Sequence, residues 1–309
     1  MKILLTGSTG MLGKNILEHP SVSNYEIYCP GSSEVNLLEK ASISQYLINK
    51  EVDIVIHVAG VVGGIQANIQ DPEGFLNKNL YMGINLVNAA REAGIKSFLN
   101  VGSSCMYPKD YMNPLKEEYI LNAPLEPTNE GYALAKIVVA KLCEYISKQY
   151  SYNYKTIIPC NLYGRWDKFA VDRSHMLPAV IRKTHNAKLN NLKSIGIWGS
   201  GNVKREFMYA EDCADAIFFC IQNFNKIPLY ANVGLGYDFT INEYYQTVAK
   251  VFGYEGNFEH DLSKPEGMKQ KLTSIDKLSE LGWKAKHSLG EGIEKTIEFY
   301  LKEVLCVEK

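Results

Sequence analysis

The stretch Ile3-Leu4-Leu5-Thr6-Gly7-Ser8-Thr9-Gly10-Met11-Leu12-Gly13-Lys14-Asn15-Ile16 limits the possible folds more than any other part of the chain. A strand-like apolar run enters a G-x-x-G-x-x-G turn built on Gly7, Gly10 and Gly13, and a helical pattern begins near Met11. Glycines let such a turn tighten and let backbone N–H groups approach a pyrophosphate, whose charge is favoured at the N-terminus of the next helix. The motif carries weight only after a strand, before a helix and within an alternating α/β pattern. In that context Gly7, Thr9, Gly10, Met11, Leu12 and Gly13 read as a dinucleotide site; outside it they would be a structural turn.

The context is present. Short β-rich runs at Ile3–Leu5, Ile27–Cys29, Ile54–Val58, Phe98–Val101 and Lys155–Cys160 alternate with helical spacing such as Gly83–Ala93 and Ala133–Gln149. That alternation predicts an α/β fold, a doubly wound parallel sheet of Rossmann type with helices on both faces. Beyond Asn161 the regularity fades, with a strand predicted at Ile195–Trp198 and a helix at Ala210–Gln222. The expected division is a cofactor domain over 1–163 with return segments near 206–236, and a smaller mixed α/β substrate domain over 164–205 and 237–309.

A formal charge of −1 with interspersed signs offers no broad positive field, so neither nucleic acid nor a membrane surface is expected as a partner. No apolar stretch approaches the roughly 20 residues that span a bilayer. Seven cysteines without a C-x-x-C spacing argue against a disulfide framework or a zinc knuckle, and His19, His185, His260 and His287 show no ligand spacing, so no metal is expected. A soluble protein of the reducing cytoplasm fits these features.

An acidic residue at the tip of the second strand would bind a ribose 2′-hydroxyl and exclude a phosphate. Here the tip reads Tyr28-Cys29-Pro30-Gly31-Ser32-Ser33-Glu34. Two hydroxyls and no acid at that place favour NADP(H), with Ser32 and Ser33 as contacts; NAD(H) stays open.

Tyr132 and Lys136, in Pro127-Thr128-Asn129-Glu130-Gly131-Tyr132-Ala133-Leu134-Ala135-Lys136, are four apart. With Thr128 as N-cap they would share a helix face. An ammonium beside a phenol lowers the phenol's pKa and fits it for proton transfer. Alone, the pair is equally an ordinary amphipathic helix. Joined to the glycine-rich turn and to Gly102-Ser103-Ser104-Cys105-Met106-Tyr107-Pro108, it resembles the extended short-chain dehydrogenases/reductases. The resemblance implies that Ser103 hydrogen-bonds the substrate carbonyl, Tyr132 protonates its oxygen, and Lys136 tunes Tyr132 and holds the nicotinamide ribose.

Further segments narrow it: Cys160-Asn161-Leu162-Tyr163-Gly164, Ser174-His175-Met176-Leu177-Pro178-Ala179 and Trp198-Gly199-Ser200-Gly201-Asn202-Val203-Lys204-Arg205-Glu206-Phe207. Nearly end to end, the chain is similar to the GDP-L-fucose synthase family, which epimerises and reduces GDP-4-keto-6-deoxy-mannose. The resemblance implies a GDP-4-keto-6-deoxy sugar as substrate, NADP(H), a homodimer, Cys105 and His175 as the acid/base pair of epimerisation, and Asn161, Arg165, Trp198, Arg205 and Lys264 in the sugar-nucleotide site.

The chain also departs from that family. Its glycine-rich loop carries Thr9 where an arginine is usual. Arg165-Trp166-Asp167-Lys168-Phe169, continued by Ala170-Val171-Asp172-Arg173, stands where Pro-His-Asp-Asn-Phe is usual, and Met268, Lys269 and Gln270 replace Thr-Pro-Arg. A changed sugar, hexose or heptose, is the expected consequence. Two rival readings keep the fold: a GDP-sugar epimerase or dehydratase with tightly held NAD and no net reduction, and a dinucleotide-sensing protein without catalysis.

Overall fold

The computed structural model describes residues 1–170, 174–264 and 267–306. In chain order the elements are β1 (Lys2–Thr6), α1 (Met11–Glu18), β2 (Glu26–Tyr28), α2 (Lys40–Lys50), β3 (Ile54–His57), α3 (Ile65–Gln70), α4 (Pro72–Glu92), β4 (Ser97–Val101), α5 (Glu130–Tyr150), β5 (Asn153–Pro159), β6 (Asn161–Tyr163) and α6 (Met176–Leu189). There follow β7 (Ser194–Trp198), β8 (Lys204–Arg205), β9 (Phe207–Tyr209), α7 (Ala210–Gln222), β10 (Tyr230–Val233), β11 (Phe239–Thr240), α8 (Ile241–Phe252), β12 (Asn257–Asp261), β13 (Gln270–Lys271), α9 (Asp276–Glu280) and α10 (Leu289–Phe299).

Among the described residues six strands form one parallel sheet in the order β10-β5-β4-β3-β1-β2. The predicted doubly wound α/β class is therefore the observed one. Strand periodicity explains its two cores, because successive side chains leave opposite faces. Ile3, Leu5, Ile54, Ile56 and Leu99 pack toward α1 and α7 with Ile16 and Ile217. Their neighbours Leu4, Val55 and Phe98 pack on the other face with Leu86, Val87 and Val139 of α4 and α5. From β1 the sheet extends to β2 on one side and to β3 on the other, so a crevice opens at the carboxyl ends of β1 and β3, where ligands of such sheets bind.

A further apolar cluster joins Leu177, Ile181, Ile195, Ile197, Tyr244, Val248, Ile293 and Ile297, from elements that follow β6. β10 returns to the large sheet beside β5, and Leu278 and Trp283, from the segment expected in the smaller unit, pack into the first core.

Two local expectations need correction. The helix predicted from Gly83 begins eleven residues earlier at Pro72, where Asp71 caps it by accepting from Gly74 N at 3.0 Å. Thr128 does not cap α5: the Glu126 carboxylate takes both its amide, at 3.5 Å, and its hydroxyl, at 3.3 Å, and the helix starts after Asn129. Among the described residues no helix is long and apolar enough to cross a membrane.

Candidate active site

The turn after β1 is as tight as its glycines permit. Gly7 has φ +75°, and a Cβ there would lie 2.6 Å from Ala59 N; a Cβ on Gly13 would lie 2.2 Å from Gly7 O. Gly10 occupies the N-cap position of α1, which has no side-chain cap and no acidic residue in its first turn. Unsatisfied N–H groups and the positive end of the helix dipole thus face outward, the arrangement that accepts a pyrophosphate. Thr9 and Gly10 are exposed, Met11 is half-buried, and Leu12 packs its side chain into the first core, leaving its backbone for a ligand. A nicotinamide dinucleotide fits this cradle. Ser32 and Ser33 lie exposed beyond β2, with Glu34 the first carboxylate after the strand.

At the end of β3, His57 is buried and its Nδ1 lies 2.9 Å from Thr6 Oγ1, which also accepts from Ala59 N at 3.3 Å. Burial, and then the charge of Lys136, push its pKa down to about 3, so the ring is neutral. Asn79 of α4 clamps the following loop, accepting from Val61 N at 2.9 Å and donating to Val61 O at 3.1 Å and Phe75 O at 2.7 Å.

Beyond β4 the chain turns sharply over Ser104–Met106, and Ser103 Oγ accepts from Cys105 N at 3.2 Å. Ser103 and Cys105 therefore share one turn. Tyr132 stands in the first turn of α5 and Lys136 one turn later, its Nζ 5.9 Å from the Tyr132 ring and donating to Val101 O at 3.0 Å. That bond ties α5 to the end of β4.

The electrostatics differ from the sequence expectation. Burial, followed by the charge of Cys105, holds the Tyr132 phenol above its ordinary value, and only the hydrogen bond with Ser103 opposes this. Lys136 is itself pushed down to about 8 by burial, and its charge is not among the causes that set the phenol.

Two residues that no motif singled out surround Cys105. Asn129 Nδ2 donates to Sγ at 3.1 Å, and Lys271 Nζ lies 4.0 Å from the same sulfur. Neither has a local signal: Lys271 is 166 residues from Cys105. His57, Asn79 and Glu206 were missed for the same reason. Glu206, 1% exposed, accepts from Leu235 N, Gly236 N, Thr273 N and Thr273 Oγ1 at 2.6 to 3.0 Å, holding the β13 segment to β8 and the end of β10.

His175 occupies the N-cap position of α6 without a side-chain cap bond. Burial, and then the positive charge of Lys168, lower its pKa. Its segment meets the loop after β3: Ser174 O lies 3.5 Å from where a Cβ of Gly64 would sit, and Lys168 Nζ donates to Val62 O at 3.5 Å. Among the described residues no hydrogen bond joins His175 to Ser103, Cys105 or Tyr132.

The expected sugar-nucleotide contacts fall in separate settings. Arg205 donates to Lys204 O at 2.7 Å and Met268 O at 2.6 Å, and β13 pairs with β8 so that Lys271 lies beside Arg205. Trp198 is 57% exposed with Lys264 Nζ 5.7 Å over its ring, while Asn161 Nδ2 donates to Glu206 O at 3.1 Å.

Arg165 is turned elsewhere. Its guanidinium pairs with Glu18 at 2.9 Å and faces Glu211 at 3.7 Å, and Trp166 donates to Glu18 at 2.7 Å with Lys14 Nζ 3.6 Å over its ring. The structure thus places this expected sugar contact against two carboxylates on α1 and α7. Val171, Asp172 and Arg173, which complete that departure, lie outside the described residues.

The sequence profile of the NAD dependent epimerase/dehydratase family matches residues 3–236. The GDP-L-colitose synthase of Yersinia pseudotuberculosis is 55% identical over 304 residues, 98% of this chain and 99% of that protein. The GDP-L-fucose synthase of Azorhizobium caulinodans is 46% identical over 97% of this chain and 96% of its own. Among solved structures, a GDP-mannoheptose C4 reductase from Campylobacter jejuni with NADP bound superposes with a TM-score of 0.89 at 28% identity, covering 97% of this chain and 98% of that one.

Proposed function

Because the chain belongs to the NAD dependent epimerase/dehydratase family, and within it to the GDP-L-fucose synthase group of extended short-chain dehydrogenases/reductases, we propose that this GDP-sugar C4 reductase takes a 4-keto-6-deoxy hexose or heptose and inverts carbon next to the ketone before reducing it. The observation that carries the reading is the pairing of the Ser103–Cys105 turn with Tyr132 and Lys136 at the carboxyl end of β4.

When bound, the reduced nicotinamide supplies the hydride for C4. Tyr132 donates a proton to the ketone oxygen as charge develops there. A phenol held above its ordinary value is protonated at neutral pH, as an acid must be. Ser103 gives that oxygen a second hydrogen bond, stabilising charge where it forms. Lys136, still mostly charged near neutrality, is assigned to the ribose hydroxyls. The ketone acidifies the protons at C3 and C5, so Cys105 as thiolate removes one and His175 returns a proton to the opposite face. Trp198, with Lys264 above it, offers a stacking surface for the guanine, and Arg205 a cation for the diphosphate.

NADPH is the favoured cofactor. Exposed Ser32 and Ser33 without an acid at the strand tip support it, as does the NADP-bound relative, and kcat/KM with NADPH against NADH tests it. The large sheet with its two cores is read as a cofactor domain over 1–163 and 206–236, and the further cluster as the core of a sugar-nucleotide domain over 164–205 and 237–309, with the Leu278–Trp283 segment attached to the first. Exposed Leu134, Val138 and Tyr145 on α5 and Tyr81 on α4 support a homodimer through these helices, to be checked by light scattering.

Proton NMR of the product formed in D2O with NADPH tests the whole reading, offering GDP-4-keto-6-deoxy-mannose, its heptose counterpart and its 3,6-dideoxy counterpart in competition. Deuterium at C3 or C5 of a C4-reduced product is expected. Reduction without label removes the acid/base roles of Cys105 and His175, and no reduction of any of the three removes the proposed substrate class.

A further inference from the structure

A thiol takes a proton from carbon only as its thiolate, and a half-buried thiolate needs donors and positive charge around it. Cys105 has both. Asn129 Nδ2 donates to Sγ at 3.1 Å while its Oδ1 is buried without a partner. Turning the amide over would orphan an N–H there, a costlier defect than an orphaned carbonyl, so the group faces the sulfur as donor. Among the described residues Sγ is the one hydrogen-bonding partner of Lys271 Nζ, at 4.0 Å.

The backbone around Lys271 is pinned on both sides. Lys271 pairs with Arg205 across β13 and β8, Leu115 N donates to Leu272 O at 2.7 Å, and Leu272 N donates to Asn113 Oδ1 at 2.9 Å. Thr273 is bound through N and Oγ1 to the buried Glu206 at 2.8 and 2.7 Å. The backbone from which the ammonium reaches toward the sulfur is thus fixed.

We propose that Lys271 and Asn129 are positioning residues that hold Cys105 as the thiolate which removes the proton beside the ketone, an inference that rests on the acid/base roles proposed for Cys105 and His175. In that step the carbon–hydrogen bond breaks, the proton passes to Sγ, and the electron pair enters the enolate. A proton delivered through His175 to the other face restores the carbon. A negative sulfur there adds to the burial that opposes ionisation of Tyr132, the acid of the reduction step.

The test uses the full-length protein saturated with NADP⁺. Iodoacetamide is added at fixed neutral pH, and modification of the Cys105 peptide is followed by mass spectrometry, which separates it from exposed Cys29 and Cys306. Lys271→Met should slow modification roughly tenfold and Asn129→Ala roughly threefold, with Lys271→Arg recovering most of the loss. Deuterium uptake by substrate should fall in the same order. Equal modification rates in the wild type and Lys271→Met overturn the proposal. So does a raised KM for the GDP-sugar in Lys271→Met with modification and label uptake unchanged, which would make Lys271 a diphosphate contact. A wild type that takes up no deuterium refutes the epimerisation reading by itself, and the modification rates still decide whether Lys271 holds the thiolate.

Discussion

Replacing His57 with asparagine should flatten the acid limb of the stability curve. The imidazole is 2% exposed, and its pKa falls from 6.5 to about 3 because burial, with Lys136 nearby, disfavours the charged ring. Below 6.5 the unfolded chain binds a proton that the folded chain refuses until about 3. Acid therefore favours unfolding across that window, and below it both states carry the proton and the loss stops growing. One proton is worth about 1.4 kcal/mol per pH unit, so about 3 kcal/mol is lost between pH 6.5 and about pH 4. Asparagine can still meet Thr6 but does not titrate. It also leaves space beside Phe98, whose ring lies 6.3 Å from that of His57, at a pH-independent cost of about 1–3 kcal/mol. Urea unfolding of both proteins at several pH values separates the two effects. The wild type should lose its advantage as pH falls and end level with the variant or below it. Two parallel curves would refute the claim that a neutral imidazole is enforced beneath Lys136.

Tyr132→Phe should lower NADPH oxidation by roughly 10²–10⁴-fold while deuterium uptake at the carbon beside the ketone continues; comparable turnover in the variant would remove Tyr132 as the acid. Gly13→Ala places a methyl group 2.2 Å from Gly7 O and should cost more than about 2 kcal/mol and abolish NADPH binding, read by thermal melting and fluorescence titration. Arg165→Ala should change stability by less than about 1 kcal/mol, since its ion pair with Glu18 is partly exposed, and should leave KM for the GDP-sugar unchanged. A severalfold rise in KM would put Arg165 in the sugar site.

The sheet was legible because its information is local. Ile3 and Leu5 alternate with Leu4, the helix predicted at Ala210–Gln222 is α7, and the glycine spacing allows one kind of turn whose φ and close contacts only glycine tolerates. Ser103, Cys105, Tyr132 and Lys136 could be nominated because each sits beside a strand end or on a helix face that periodicity reveals. What tertiary structure decided was which distant groups meet. Nothing near Arg165 foretells that Glu18 and Glu211 will claim its guanidinium, and nothing near Asn129 that its amide will turn to the sulfur of Cys105. Lys271 reaches Cys105 only because β13 pairs with β8 and Glu206 locks Thr273 in place. Backbone periodicity depends on neighbours along the chain. A charged side chain's direction depends on which opposite charge or desolvated acceptor the finished fold brings within a few ångströms, and that is settled only once the strands have paired.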